Sequence, residues 1–214
     1  MRMRPKKNRE KRMEKVDKLF IEKLENGKVD IENCYDTKGK FFLEIGCGKG
    51  AFITGLSEKC PNDRLLAVEL IQDVIMMAME KADRNGCKNV RFLHENAENI
   101  AEVIPEKSVD ILFLNFSDPW PKKRNAKRRL TSPLFLERYK KILADGGKII
   151  FKTDNKPLFD YSVESFVSNG FAVSDVCFDL HGDPVYNENN IETEYEKNFS
   201  GKGFLINQLT ARVL

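Results

Sequence analysis

The run VDILFLNF, Val109 to Phe116, restricts the fold more than any other stretch of the chain. A short apolar run without polar alternation is what a strand buried on both faces of a parallel sheet requires. The run then stops abruptly. Asp118 follows it, and Pro119 and Pro121 disfavour helix in the residues before them and hold Trp120 in a stiff, extended turn. Beyond the turn, six of the eight residues Lys122 to Arg129 are Lys or Arg. A carboxylate at a strand's carboxyl end, a rigid aromatic and a cationic strip thus follow one another, at the end of the sheet where open α/β folds bind ligands. By itself such a charge run is most often a solvated face, and can also be a localisation signal or random surface.

The rest of the chain alternates strand and helix patterns around this run. Strands are expected at 41–45, 65–70, 90–93, 109–116 and 148–152, and helices at 51–60, 72–85, 97–104, 133–143 and 157–169. Gly86 and Gly170 are the C-cap candidates. Two late strands, 172–179 and 204–213, are separated by a polar loop and predict an antiparallel terminal hairpin. The pattern implies a Rossmann-like, three-layer α/β/α domain with a mostly parallel sheet.

The chain has 214 residues, enough for one domain with a sizeable core. Its 36 basic and 33 acidic residues leave a net charge of +3, so any affinity for a polyanion comes from clustering. Cys34, Cys47, Cys60, Cys87 and Cys177 form no CxxC pair and His94 and His181 are far apart, which predicts neither a disulfide framework nor a metal site. No apolar stretch suits a membrane span and the amino terminus lacks the apolar core of a secretory signal, so a cytoplasmic location is expected. Residues 1–30 are expected to form a basic arm and an amphipathic helix, with the domain proper at 31–214. Met13, Val16, Phe20 and Leu24 fall at helical spacing within 9–24, whereas 1–8 reads either as an arm or as a frayed terminus.

The turn after the first strand is FLEIGCGKGAF, with Gly46, Gly48 and Gly50. Glycines there let the backbone approach a ligand, and the next helix offers its amino terminus. The third glycine comes one residue too early for the dinucleotide pattern. Glu44, just before the turn, suits a ligand with a positive group such as the amino group of a methionine moiety; the alternative is a structural carboxylate satisfied by turn amides. Glu69 ends the second strand, where an acid can take both ribose hydroxyls of an adenosine. Asn96 follows the third strand, where it meets an adenine edge or caps the helix at Ala97. Together these spacings favour S-adenosyl-L-methionine over a nicotinamide cofactor.

EIGCGKG, Glu69, LNFSDPWPKKRNAKRRL, FKTDN and TEYE together resemble the bacterial tRNA (guanine-N7-)-methyltransferases of the TrmB type, over nearly the whole chain from about Phe41. The resemblance implies a class I S-adenosylmethionine-dependent methyltransferase fold with a seven-stranded, mostly parallel sheet and an antiparallel terminal strand. It implies methyl transfer to N7 of guanine 46 in the variable loop of tRNA, by a monomer or homodimer without a metal. Carried onto this sequence, the cofactor-binding positions are Glu44, Gly46, Gly48, Glu69, Asn96 and Asp118, with Asp118 also catalytic. Substrate-binding positions are Lys122, Asp154, Thr193, Glu194, Tyr195 and Glu196. Arg124, Asn125, Ala126, Lys127, Arg128 and Arg129 correspond to the RNA-contacting strip. Asn125 stands where many members carry His, a departure that matters only if that His moves a proton.

The chemistry agrees with these residue types. N7 of guanine has a free lone pair at neutral pH, so methyl transfer needs no general base and depends on alignment and electrostatics. Positive charge ends on the purine, where Asp118, Asp154 and Glu196 are candidates to stabilise it, with Thr153 and Thr193 orienting them. Without the resemblance, Asp154 reads as an Asx-turn or helix cap, TEYE as an exposed acidic loop and Trp120 as a residue packed to lock its turn. The target base is expected to be splayed out of the RNA fold while the strip holds phosphates.

Overall fold

The computed structural model describes residues 8–214, so the expected arm lies, apart from Asn8, outside the described residues. In chain order the elements begin with α1 (Arg9–Glu14), β1 (Phe41–Ile45), α2 (Ala51–Lys59), β2 (Arg64–Glu69), α3 (Gln72–Arg84) and β3 (Val90–His94). They continue with α4 (Ile100–Val103), β4 (Val109–Asn115), α5 (Pro133–Ile142), β5 (Leu143–Thr153) and α6 (Lys156–Ser168). The last are β6 (Phe171–Cys177), α7 (Pro184–Asn187), α8 (Glu194–Ser200) and β7 (Asn207–Val213).

The seven strands form one sheet in the order β3-β2-β1-β4-β5-β7-β6. β1 to β5 pair in parallel, and β7 runs antiparallel to both β5 and β6. The chain moves outward from β1 to β3 and then returns to β4 on the other side of β1. Connections therefore diverge above β1 and β4, and this divergence opens a crevice at their carboxyl ends. One apolar core packs Phe52, Ile53, Ile75 and Met79 of α2 and α3 against one sheet face. The other packs Ile100, Leu136, Tyr139 and Phe159 of α4 to α6 against the opposite face. This is the expected α/β/α sandwich.

Three local expectations need correction. The amphipathic helix expected over 9–24 ends at Glu14, because Phe20 and Ile21 become extended and pair with Phe92 of β3. β3 is an edge strand, and this segment covers part of its open hydrogen-bonding edge. Val16 and Leu19 then enter one core while Ile21, Val29 and Ile31 enter the other, so the segment wraps the sheet edge. Second, β5 starts at Leu143 and not at Lys148: Leu143 pairs with Val109, and Ala144 to Gly147 loop out before pairing resumes at Lys148. Third, Trp120 is not extended but left-handed, at φ 40°.

Gly50 is the N-cap of α2 at φ 81°, and a Cβ there would lie 2.8 Å from the Ala78 Cβ of α3. Gly46 has φ 80° with nothing within 4 Å of an added Cβ. An alanine at either site costs about 1–2 kcal/mol for the left-handed backbone, but only at Gly50 does overpacking add roughly 1–3 kcal/mol. Chemical denaturation of Gly50→Ala and Gly46→Ala should resolve that difference; equal losses would show that α2 and α3 separate freely.

Candidate active site

The register aligns a polar row across the sheet. Glu44 of β1 lies beside Phe113 of β4, so Asn115, two residues further on, points to the same face, and Asn115 pairs in turn with Lys152 of β5. All three are buried. Asn115 Nδ2 donates to Glu44 Oε1 at 3.0 Å. Glu44 Oε2 and Asn115 Oδ1 are buried without a hydrogen-bond partner, and Ser117 Oγ, just beyond β4, is in the same condition. Burial pushes the Glu44 carboxyl up to about 7, against the pull of the Asn115 hydrogen bond and the Lys152 charge.

Two connected hollows lie over this row. A cleft of about 360 Å³ runs from Gly46, Glu69 and Asn96 to Asn115, Asp118, Trp120 and Arg128. A second, of about 340 Å³, shares Gly46, Asn115 and Phe116 with the first and is walled by Glu44, Gly48, Thr193, Glu194 and Tyr195. Glu69 accepts the Gly48 N–H at 3.1 Å and the Ile71 N–H at 3.0 Å, which fixes its carboxylate beside the glycine turn. Asn96 does cap the turn at Ala97, accepting from the Glu98 N–H at 3.0 Å, while its residue still lines the cleft. Asp118 is exposed at the cleft wall and makes no hydrogen bond or ion pair with a described residue.

The basic strip is not uniform. Arg129 folds back, donating to the carbonyls of Pro119 at 3.0 Å and Trp120 at 3.1 Å, with its guanidinium 4.2 Å from the Tyr161 ring centre. Arg128 stacks 3.8 Å over the Trp120 ring. These two arginines hold the left-handed Trp120 turn, where the cation–π contact and carbonyl pairing offset the backbone strain. Lys122, Lys123, Arg124 and Lys127 remain exposed, and Asn125 and Ala126 are half-buried in the 3₁₀ turn between them.

The TEYE segment is ordered by contacts from each of its four residues. Thr193 and Glu196 form a reciprocal capping box at the start of α8. Glu194 accepts the Ala51 N–H of α2 at 3.2 Å and pairs with Lys81 of α3. The Tyr195 hydroxyl donates to Asp154 Oδ2 at 3.3 Å. Glu196 is 0% exposed and pairs with Lys152 Nζ at 2.8 Å, so the alternative of an exposed acidic loop does not hold. The Lys152 ammonium also donates to Asn190 Oδ1 and the Ile191 carbonyl, each at 3.0 Å, which satisfies all three of its donors. Burial pushes the Glu196 carboxyl up, but the Lys152 charge and hydrogen bonds from Lys152, Asn190 and the Thr193 N–H outweigh it and hold the group below the usual range. Nor is Asp154 the helix cap, since Asn155 takes that role by accepting from the Leu158 N–H at 2.9 Å.

The site therefore joins residues from the ends of β1, β2, β4 and β5 with α8. Asn115 was not singled out by sequence reasoning, although an amide closing an otherwise apolar strand is a visible signal. Among the described residues no group of three His, Cys, Asp or Glu could hold a metal ion, and no helix is long and apolar enough to cross a membrane.

A family model described as "Putative methyltransferase" matches residues 38–209. The tRNA (guanine-N(7)-)-methyltransferase of Streptococcus agalactiae is 39% identical over 99% of this chain and 100% of its own. The chain belongs to the tRNA (guanine-N7-)-methyltransferase family. Among solved structures, the 16S rRNA methyltransferase KamB superposes with a TM-score of 0.65 at 15% identity, covering 89% of this chain and 98% of that one. A SAM-dependent methyltransferase from Aquifex aeolicus gives 0.58 at 16% identity, over 98% and 100% of the two chains. The fold is that of the S-adenosylmethionine-dependent methyltransferases.

The cleft fits such a donor on its own chemistry. Glu44 Oε2 and Asn115 Oδ1 are buried acceptors lacking a donor, which an ammonium would supply, and an unpaired buried acceptor otherwise costs about 1–3 kcal/mol. Gly46 leaves open space where a Cβ would intrude. A raised carboxyl contributes stability fully present below its unfolded value, near 4.5, and lost as pH rises through about 7. Between pH 5 and 8 the ligand-free protein should lose up to about 3 kcal/mol from this group, a slope that Glu44→Gln removes. Parallel pH–stability profiles for the two proteins would place the Glu44 carboxyl at an ordinary value.

Proposed function

We propose that this protein transfers a methyl group from S-adenosylmethionine to N7 of guanine 46 in the variable loop of tRNA, and that it works in the cytoplasm. One cleft joins two opposite chemistries, and that observation carries the reading. At its base are the donorless acceptors Glu44 Oε2 and Asn115 Oδ1; on the turn beyond Asp118 are the exposed cations Lys122, Lys123, Arg124 and Lys127. The first suits the ammonium end of the donor and the second a phosphate backbone. The relatives' name supports guanine N7 as the target.

The bound donor supplies an electrophilic methyl on a sulfonium, which departs as a neutral thioether while positive charge moves to the purine. Glu44 and Asn115 hold the amino end of the ligand, with Glu44 ionised once the ammonium is present. Glu69, already oriented by the Gly48 and Ile71 amides, accepts the ribose hydroxyls with its remaining lone pairs. The Asn96 amide nitrogen is left free by its capping role and donates to the adenine edge. Asp118 and Asp154, at the ends of neighbouring strands, bracket the base and stabilise its developing charge in a site from which the RNA excludes water. Glu196 is fully buried with its carboxylate committed to Lys152, His181 and Asn190, so it acts on the base only through α8, as a positioning residue.

Asp118→Asn tests this assignment, because the amide preserves shape and removes charge. Single-turnover methylation should slow by about two to three orders of magnitude, the range seen when one preorganised electrostatic group is lost, while tRNA affinity stays within a few fold. An unchanged rate would remove Asp118 from the chemistry.

A further inference from the structure

We propose that Tyr195, Phe199 and Phe204 form a stacking platform for unpaired RNA bases next to the target nucleotide, an inference that rests on the tRNA reading above. The platform begins inside the site. Phe116, at the end of β4, has its ring centre 5.1 Å from that of Tyr195, which walls the second hollow. Tyr195 stacks on Phe199 at 4.0 Å with an interplanar angle of 14°, and Phe204 meets Phe199 edge-on at 5.5 Å. An aromatic ridge thus leads from the cleft to the surface.

The ridge is unusual in what it leaves uncovered. Tyr195 is 41% exposed, Phe204 50% and its neighbour Leu205 57%. Part of the contact has a local cause: the turn after α8 closes with Phe204 N–H donating to the Phe199 carbonyl at 3.2 Å, and an apolar contact commonly accompanies such a helix end. That cause explains why Phe204 touches Phe199. It leaves unexplained a parallel pair of rings continued to the surface beside a cleft, where each half-exposed ring forgoes part of the stabilisation that burial would give.

Charge selects the occupant. Lys202 Nζ lies 5.1 Å from the Phe199 ring centre, and the exposed Lys49 lines the second hollow together with Tyr195. Rings edged by cations are the means by which proteins hold single-stranded nucleic acid, since every base has a π-face and every nucleotide a phosphate. A base drawn into the cleft breaks its stacks with the bases beside it, and those neighbours need new stacking partners at the cleft mouth. The Trp120–Arg128 stack lines the first hollow and Tyr195 the second, and the two hollows meet at Gly46, Asn115 and Phe116.

Phe204→Ser removes one exposed ring without touching the S-adenosyl site. It should weaken binding of unmodified tRNA about tenfold, within the range for loss of one base stack. The slope of log Kd against log salt should not change, because stacking releases no counterions. Affinity for S-adenosylhomocysteine should match wild type, and Phe204→Trp should retain tRNA binding. Wild-type affinity in Phe204→Ser, or an altered salt slope, would overturn the platform alone. So would a change in sedimentation mass on Phe204→Ser, which would mean that the ridge is covered by a second copy of the chain. A wild-type protein that binds no tRNA would overturn the parent reading and the platform with it.

Discussion

The Lys152 ammonium is the interaction on which the site depends. It is buried on β5 and surrenders all three donors to the segment between β6 and β7, through Asn190, Ile191 and Glu196. Glu196 in turn accepts from His181 and Asn190, so a stretch without sheet partners is tied to the centre of the sheet. A buried ion pair is weak support for stability, because desolvation consumes much of the attraction, and losing one partner leaves an uncompensated charge. Its effect here is positional: α8 can seat in only one register, with Glu194 on the amino terminus of α2 and Tyr195 against Asp154 and Phe116. The same ammonium draws down the Glu44 carboxyl from two strands away.

Electrostatics divides the cleft into regions with separate tasks. Its base is rich in acceptors, with Glu44 and Asn115 waiting for a donor, and its outer turn is rich in cations. Between them, Asp118 is an exposed carboxylate, whose influence would grow under any cover that lowers the local dielectric. The left-handed Phe116 and Trp120, at φ 52° and 40°, lie in this junction. The strain at Trp120 is held by the Arg128 and Arg129 contacts, so part of an apparent RNA-binding strip serves to shape the turn that carries Asp118.

Much of this was legible in the sequence. Apolar runs gave the strands, Gly86 and the prolines closed helices where they should, and the glycine turn, Glu69 and the DPWP turn identified the crevice. Single residues decided what was not legible. Phe20 and Leu24 fit a helical period, but an open edge on β3 offered Ile21 a better hydrogen bond than another helical turn. The acid Glu196 reads as solvent-facing until a lysine inside the apolar strand IIFK is seen to require a counter-charge. Arg128 and Arg129 look like their neighbours in sequence, and only tertiary contact separates them from the exposed Lys123, Arg124 and Lys127. Asn115 was visible as an amide closing an apolar run, but its role shows only in the fold, where its orphaned oxygen lies buried like that of Glu44.

The most direct measurement is incubation of the protein with labelled S-adenosylmethionine and unmodified tRNA transcript, followed by nucleotide mapping of the incorporated methyl. Label in 7-methylguanosine at a single variable-loop guanine is the predicted result. Label at another base or at several guanines, or no label in tRNA, would contradict a cleft that holds the donor on Glu44 and Asn115 and presents one guanine to Asp118.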